Sequence, residues 1–99
     1  MTSNFRVDIF ISVSRALIGE VFPSLVAVCA FITGPDAFSL HFFIDREADD
    51  DLEDAISCIE TEVIADFARQ IDVNVEIRTA ERPQLPEKDA FWIFHRKLE

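Results

Sequence analysis

Apolar positions along this 99-residue chain follow two different periods, and the switches between them mark out six elements. From residue 7 to 20 the spacing predicts a helix, with Ile9, Phe10, Val13, Ala16, Leu17 and Val21 on one side and Gly19 near the end. Phe5–Val13 also alternates and is rich in β-branched residues, so a strand competes there. Val7, Ile11 and Ile18 fall off the main stripe and form a second apolar seam. Such a seam belongs either to a helix buried on two sides or to a dimer or partner contact.

After Pro23, Leu25–Thr33 (LVAVCAFIT) is apolar on both faces, the signature of a central strand. Gly34-Pro35-Asp36 signals a turn into Phe38–Asp45, where Phe38, Leu40, Phe42 and Ile44 point one way and Ser39, His41 and Phe43 the other. These two strands are expected to form an antiparallel hairpin. Leu52, Ala55, Ile56, Ile59, Val63 and Phe67 then recur at steps of three and four, predicting a second helix from Asp51 to Arg69. Ile71, Val73, Val75 and Ile77 alternate with Asp72, Asn74, Glu76 and Arg78, one face dry and one wet. Thr79–Asp89 is a long loop restrained by Pro83 and Pro86, of a length that often carries function in a small domain. Ala90–Arg96 reads as a last strand, with Trp92 and Phe94 on one face and Phe91, Ile93 and His95 on the other.

The order α-β-β-α-β-β predicts a single α+β domain spanning residues 1–99. Two layers satisfy the pattern: a four-stranded, mainly antiparallel sheet with both helices on one face. The other face would present Glu76 and Arg78 with His41, Phe43 and His95. Phe43, Phe91 and Ile93 would make it unusually apolar, so further residues, a partner or a second subunit should cover it.

Charge changes this picture at one place. The chain carries a formal net charge of −10, and Asp45–Phe67 holds ten acidic residues against the single Arg46. Asp49, Asp50 and Asp51 suit the start of the second helix, where carboxylates accept from unpaired N–H groups and oppose the helix dipole. One N-cap does not require three aspartates. Around the helix, Glu53 and Glu60 flank the apolar stripe on one side, and Asp51, Glu62 and Asp66 on the other. Asp54 lies on the outermost face among small residues. A run of this kind is either a solvated face or a docking surface that steers a basic partner. The candidate partner-binding residues are therefore Asp49, Asp50, Asp51, Glu53, Asp54, Glu60, Glu62 and Asp66.

The composition narrows the function further. A pI of about 4.4 argues against nucleic-acid or anionic-membrane binding, since phosphate contact needs clustered Lys and Arg. At 49% hydrophobic with ten Phe, the chain is too apolar to be disordered. It has no signal-peptide layout and no long uninterrupted apolar run, so a soluble cytoplasmic protein is expected. Cys29 and Cys58 lack CxxC spacing and are expected as free thiols in a reducing compartment. No cofactor, metal or catalytic motif is present: the two glycines build no phosphate loop, and there is no HExxH, Cys/His quartet or GxSxG elbow. The aspartate run lacks the mid-loop glycine and ligand spacing of a calcium hand, which leaves at most a weak cation site at Asp49–Asp51. His41, His95 and Glu76 could form an acid–base group only if the two histidine strands are neighbours in register.

Four phrases occur together in this chain: Arg15–Leu25 (RALIGEVFPSL) leading into a strand, Phe42–Asp45 (FFID) before the acidic helix, Glu60–Phe67 (ETEVIADF) closing it, and Trp92–Lys97 (WIFHRK) after a proline-bearing loop. In this combination the chain resembles small acidic bacterial immunity proteins, encoded beside polymorphic or contact-dependent growth-inhibition toxins and related in role to colicin immunity proteins. The similarity runs over roughly residues 9 to 97. It implies a cytoplasmic, non-enzymatic protein that binds one cognate toxin domain and blocks its active site or substrate surface. A basic nuclease is the toxin that an acidic inhibitor best suits. The resemblance transfers no toxin-contacting residues, and His95 with Trp92 on the last strand is a departure that would suit a sheet-face contact. The alternative role is a homodimeric structural or assembly module.

Overall fold

A computed structural model describes residues 4–20, 24–79 and 83–96. The elements run α1 (Phe5–Glu20), β1 (Leu25–Gly34), β2 (Ala37–Ile44), α2 (Asp50–Ala65), β3 (Asp72–Thr79) and β4 (Phe91–His95). This is the expected α-β-β-α-β-β order. Helix, not strand, wins over Phe5–Val13. Asn4 starts α1, its Oδ1 accepting from the N–H of Arg6 at 3.0 Å and of Val7 at 3.4 Å. Val21 and Pro23, expected to close this region, lie outside the described residues, as do residues 80–82 of the long loop.

The sheet order is β3-β2-β1-β4, so the doubly apolar β1 is indeed internal. β1 pairs antiparallel with β2 through the Gly34-Pro35-Asp36 turn and antiparallel with β4, whereas β2 and β3 are parallel. The sheet is thus mixed, with two of its three pairings antiparallel. The parallel pairing follows from α2, which serves as the crossover that a parallel neighbour requires.

Both helices pack on one face. Ile9, Val13, Ala16 and Leu17 of α1 join Leu52, Ile56, Ile59 and Val63 of α2 over Val28, Ala30, Phe38, Leu40, Phe42 and Ile44 of the central strands. Arg6 lies 4.6 Å from the Phe91 ring centroid and ties α1 to β4 by a cation–π contact. Phe10, expected on the buried stripe, is 44% exposed instead. Its angular position puts it at the border of the buried arc, beyond the reach of the sheet.

Two sequence expectations fail locally. α2 stops at Ala65 and does not continue to Arg69. The Asp66 N–H is shared between the carbonyls of Glu62 (3.1 Å) and Val63 (3.2 Å), and the Phe67 N–H turns to that of Ile64 (3.3 Å), so the last turn tightens. Phe67 then leaves the helix and meets Phe5 and Phe38, with ring centroids 5.9 and 6.1 Å away. On β4 the expected alternation breaks. A register shift against Val28/Cys29 inserts Ile93 as an extra residue. Phe91, Ile93 and Phe94 therefore all pack toward the helices, while Trp92 joins Val26, Ala27, Cys29 and Phe43 on the opposite face.

Candidate functional site

The acidic helix is built from its first residue. Asp49 adopts an extended backbone and its Oδ1 accepts from the Leu52 N–H at 2.8 Å, a capping bond that starts α2. Asp50, Asp51 and Glu53 follow in the first turn, where their charges oppose the helix dipole. Only Leu52, Ile56, Ile59 and Val63 of this helix are buried. Of the candidate acids, Glu60 is half-buried, and Asp49, Asp50, Asp51, Glu53, Asp54, Glu62 and Asp66 are exposed.

Those carboxylates are spread over three sides of α2. Glu62 and Asp66 border a cleft with Ser12, Arg15 and Ala16 of α1, and Arg15 approaches Asp66 to 3.6 Å. Asp49 and Asp51 share a second cleft with Ser24 and Arg46. At 100° per residue, Glu53 and Glu60 fall on the opposite flank and Asp54 on the outermost face. Among the described residues Asp66 is the one member of the eight with a cation within 4 Å; the other seven have none. The helix therefore presents largely uncompensated negative potential along its exposed length. It does not gather the eight into a single pocket.

The opposite sheet face carries the histidines. Cross-strand register aligns Trp92 (β4), Cys29 (β1), His41 (β2) and Glu76 (β3) in one rung, and His95, Ala27, Phe43 and Arg78 in the next. His41 and His95 are thus on strands separated by β1 and on different rungs, so the pairing that an acid–base site would need is not formed. His41 is buried, with Nε2 3.0 Å from Glu76 Oε2. His95 instead stacks edge-on to Trp92 at 4.9 Å. Burial pushes the Cys29 thiol up to about 11, with Arg78 and the His41 backbone pulling weakly the other way. A thiol so placed stays protonated and is a poor nucleophile at neutral pH. Phe31, Phe43 and Trp92 roof this face, with Phe31 to His41 at 5.3 Å and Phe43 to Trp92 at 5.9 Å. Val26, Ala27, Cys29 and Phe43 on this face are buried, so the face expected to be open is covered within the molecule.

Among the described residues no three His, Cys, Asp or Glu side chains are placed to hold a metal ion, Asp49–Asp51 included. Both cysteines are free, Cys29 buried and Cys58 exposed. No helix among the described residues is long and apolar enough to cross a membrane.

A model of the MafI2 immunity protein family matches residues 6–98, nearly the whole chain and all of the elements described above but the first residue of α1. The chain belongs to the MafI2 immunity protein family. Membership assigns it to a bacterial toxin system and implies a cognate toxin as partner. No curated protein matches the chain significantly. On this MafI2 immunity protein the acidic helix is one of two surfaces that could meet a partner. The second is the outer side of α1, the seam of Val7, Ile11 and Ile18 that the sequence pattern marks, joined in solvent by Phe10, which that pattern places on the buried stripe. Its signal in the sequence is apolar residues lying opposite the buried stripe of a surface helix.

Proposed function

We propose that this protein neutralises its toxin by laying the acidic helix α2 against the cationic, nucleic-acid-binding surface of a toxic nuclease, in the cytoplasm and within a contact-dependent growth-inhibition system. The supporting observation is the run of eight carboxylates on and flanking α2, all exposed but the half-buried Glu60, of which seven have no cation within 4 Å among the described residues. A nuclease that holds phosphates offers the complementary charge, and occupying that surface excludes the substrate. The protein acts by binding and performs no chemistry of its own. The protonated Cys29 thiol and the separation of His41 from His95 fit that role.

Charge reversal tests this. Paired reversals, Glu53→Lys with Glu60→Lys or Asp51→Lys with Glu62→Lys, are expected to slow association with the toxin domain encoded beside this chain. The slowing should be about tenfold at low salt and should shrink near 0.5 M NaCl, where the Debye length falls below about 5 Å. Association rates unchanged in both pairs would remove α2 from the contact. A toxin domain without nuclease activity would remove the substrate class.

A further inference from the structure

The outer side of α1 is apolar where a surface helix is ordinarily polar. Val7 is 47%, Phe10 44%, Ile11 43% and Ile18 83% exposed. The inner stripe of Ile9, Val13, Ala16 and Leu17 already fills the core, so the outer residues contribute nothing to it. Val7, Phe10 and Ile11 lie within about one turn and Ile18 follows about two turns on along the same side; exposed apolar side chains so grouped mark an interaction surface. Two occupants suit an apolar helix face: a second copy of this chain, or a different protein.

Charge decides between them. α1 lies directly beside α2, with Arg15 3.6 Å from Asp66, so the acidic segment borders the apolar seam. A two-fold contact through α1 would bring two such segments to the edge of one interface, and like charges facing across an interface oppose association. A cationic partner gains from the same arrangement. We infer that Val7, Phe10, Ile11 and Ile18 form the apolar centre of the surface that binds the toxin. The acids of α2 form its charged border. The occupant is a toxin domain whose own apolar patch is edged by lysines and arginines. This inference rests on the immunity role and adds a division of labour: well-packed apolar centres govern how slowly a complex dissociates, whereas bordering charges govern how fast it forms.

The experiment uses the full chain carrying Ile11→Ser, Ile18→Ser, or both, against the immobilised toxin domain encoded beside it. Association and dissociation rates are measured across a salt series, and thermal melts confirm folding. Ile18 is largely in solvent and Ile11 is a little under half exposed, and neither belongs to the buried core, so the fold should tolerate the changes. The double variant is expected to dissociate at least about tenfold faster, equivalent to about 1.4 kcal/mol. Its association rate should stay within about twofold, and the defect should persist at high salt. Unchanged dissociation of the double variant, with wild-type binding intact, overturns the α1 assignment and leaves the immunity role standing. Absence of wild-type binding to the toxin domain overturns that role and this inference together. A wild-type dimer in sedimentation velocity that separates on Ile18→Ser assigns the seam to a second copy and overturns the inference.

Discussion

His41 shows how one residue records the environment of a whole sheet face. It is 2% exposed, and neither ring nitrogen has a partner at hydrogen-bonding geometry, although Glu76 Oε2 lies 3.0 Å from Nε2. Desolvation lowers its pKa below the ordinary 6.5, Glu76 pulls it back up, and Arg78 presses it down again. The unfolded chain then binds a proton more readily than the folded one. The contribution of His41 is therefore fully present above about pH 6.5 and is lost as the pH falls through that value toward the depressed folded pKa. Urea titrations between pH 7.5 and 5 are expected to show wild-type stability falling more steeply than that of His41→Gln. Parallel pH profiles would show that the folded imidazole is solvated well enough to protonate freely. The alternation Ser39-His41-Phe43 already placed this histidine on the outer face. Its burial was not legible, because Phe31 packs against it from the neighbouring strand, with ring centroids 5.3 Å apart.

Among the elements, α2 was the most readable and its end the least. Four apolar residues at helical spacing identified the buried stripe, and an aspartate N-cap identified the start. The termination came from shared backbone bonds at Asp66 and from the pull of Phe67 toward Phe5 and Phe38, contacts made with residues distant in sequence. Arg69 reinforces the exit: its Nε pairs with Asp36 Oδ1 in the β1–β2 turn and its guanidinium lies 4.9 Å from the Phe5 ring centroid. β4 failed for a related reason. A single inserted residue, Ile93, leaves the composition of the strand unchanged but reverses the faces on one side of it. Ile59 is fully buried between α2 and the sheet. Ile59→Ala is expected to cost about 2–5 kcal/mol through the cavity left behind. Denaturant titration should show this as a lower midpoint at unchanged slope. A cost near zero would mean that α2 can settle into the space.

At the scale of the molecule, the layer arrangement was legible because each helix offers one buried stripe and the half-wet strand has one dry face. The strand order was not, since apolar periodicity is equally served by placing β3 beside β2 or β4. The acidic helix determines how the whole molecule responds to salt. Glu62 and Asp66 are like charges four residues apart on one flank, a repulsion costing a few tenths of a kcal/mol. Raising NaCl from about 10 to 150 mM shortens the Debye length from roughly 30 to 8 Å. With a formal net charge of −10, the free protein is therefore expected to gain a few tenths of a kcal/mol of stability, read as a higher urea midpoint. The same salt change should slow toxin association, so stability and binding move in opposite directions along one variable.

The shallow seating of α2 has a consequence beyond any single complex. Leu52, Ile56, Ile59 and Val63 anchor the helix, and its remaining positions lie wholly or partly in solvent. Substitutions at those positions leave the interior untouched and perturb folding by roughly half a kcal/mol or less. Under the docking proposed for α2, a lineage can therefore retune its toxin specificity by drift along the rod's outer surface, one carboxylate at a time, without passing through an unfoldable intermediate.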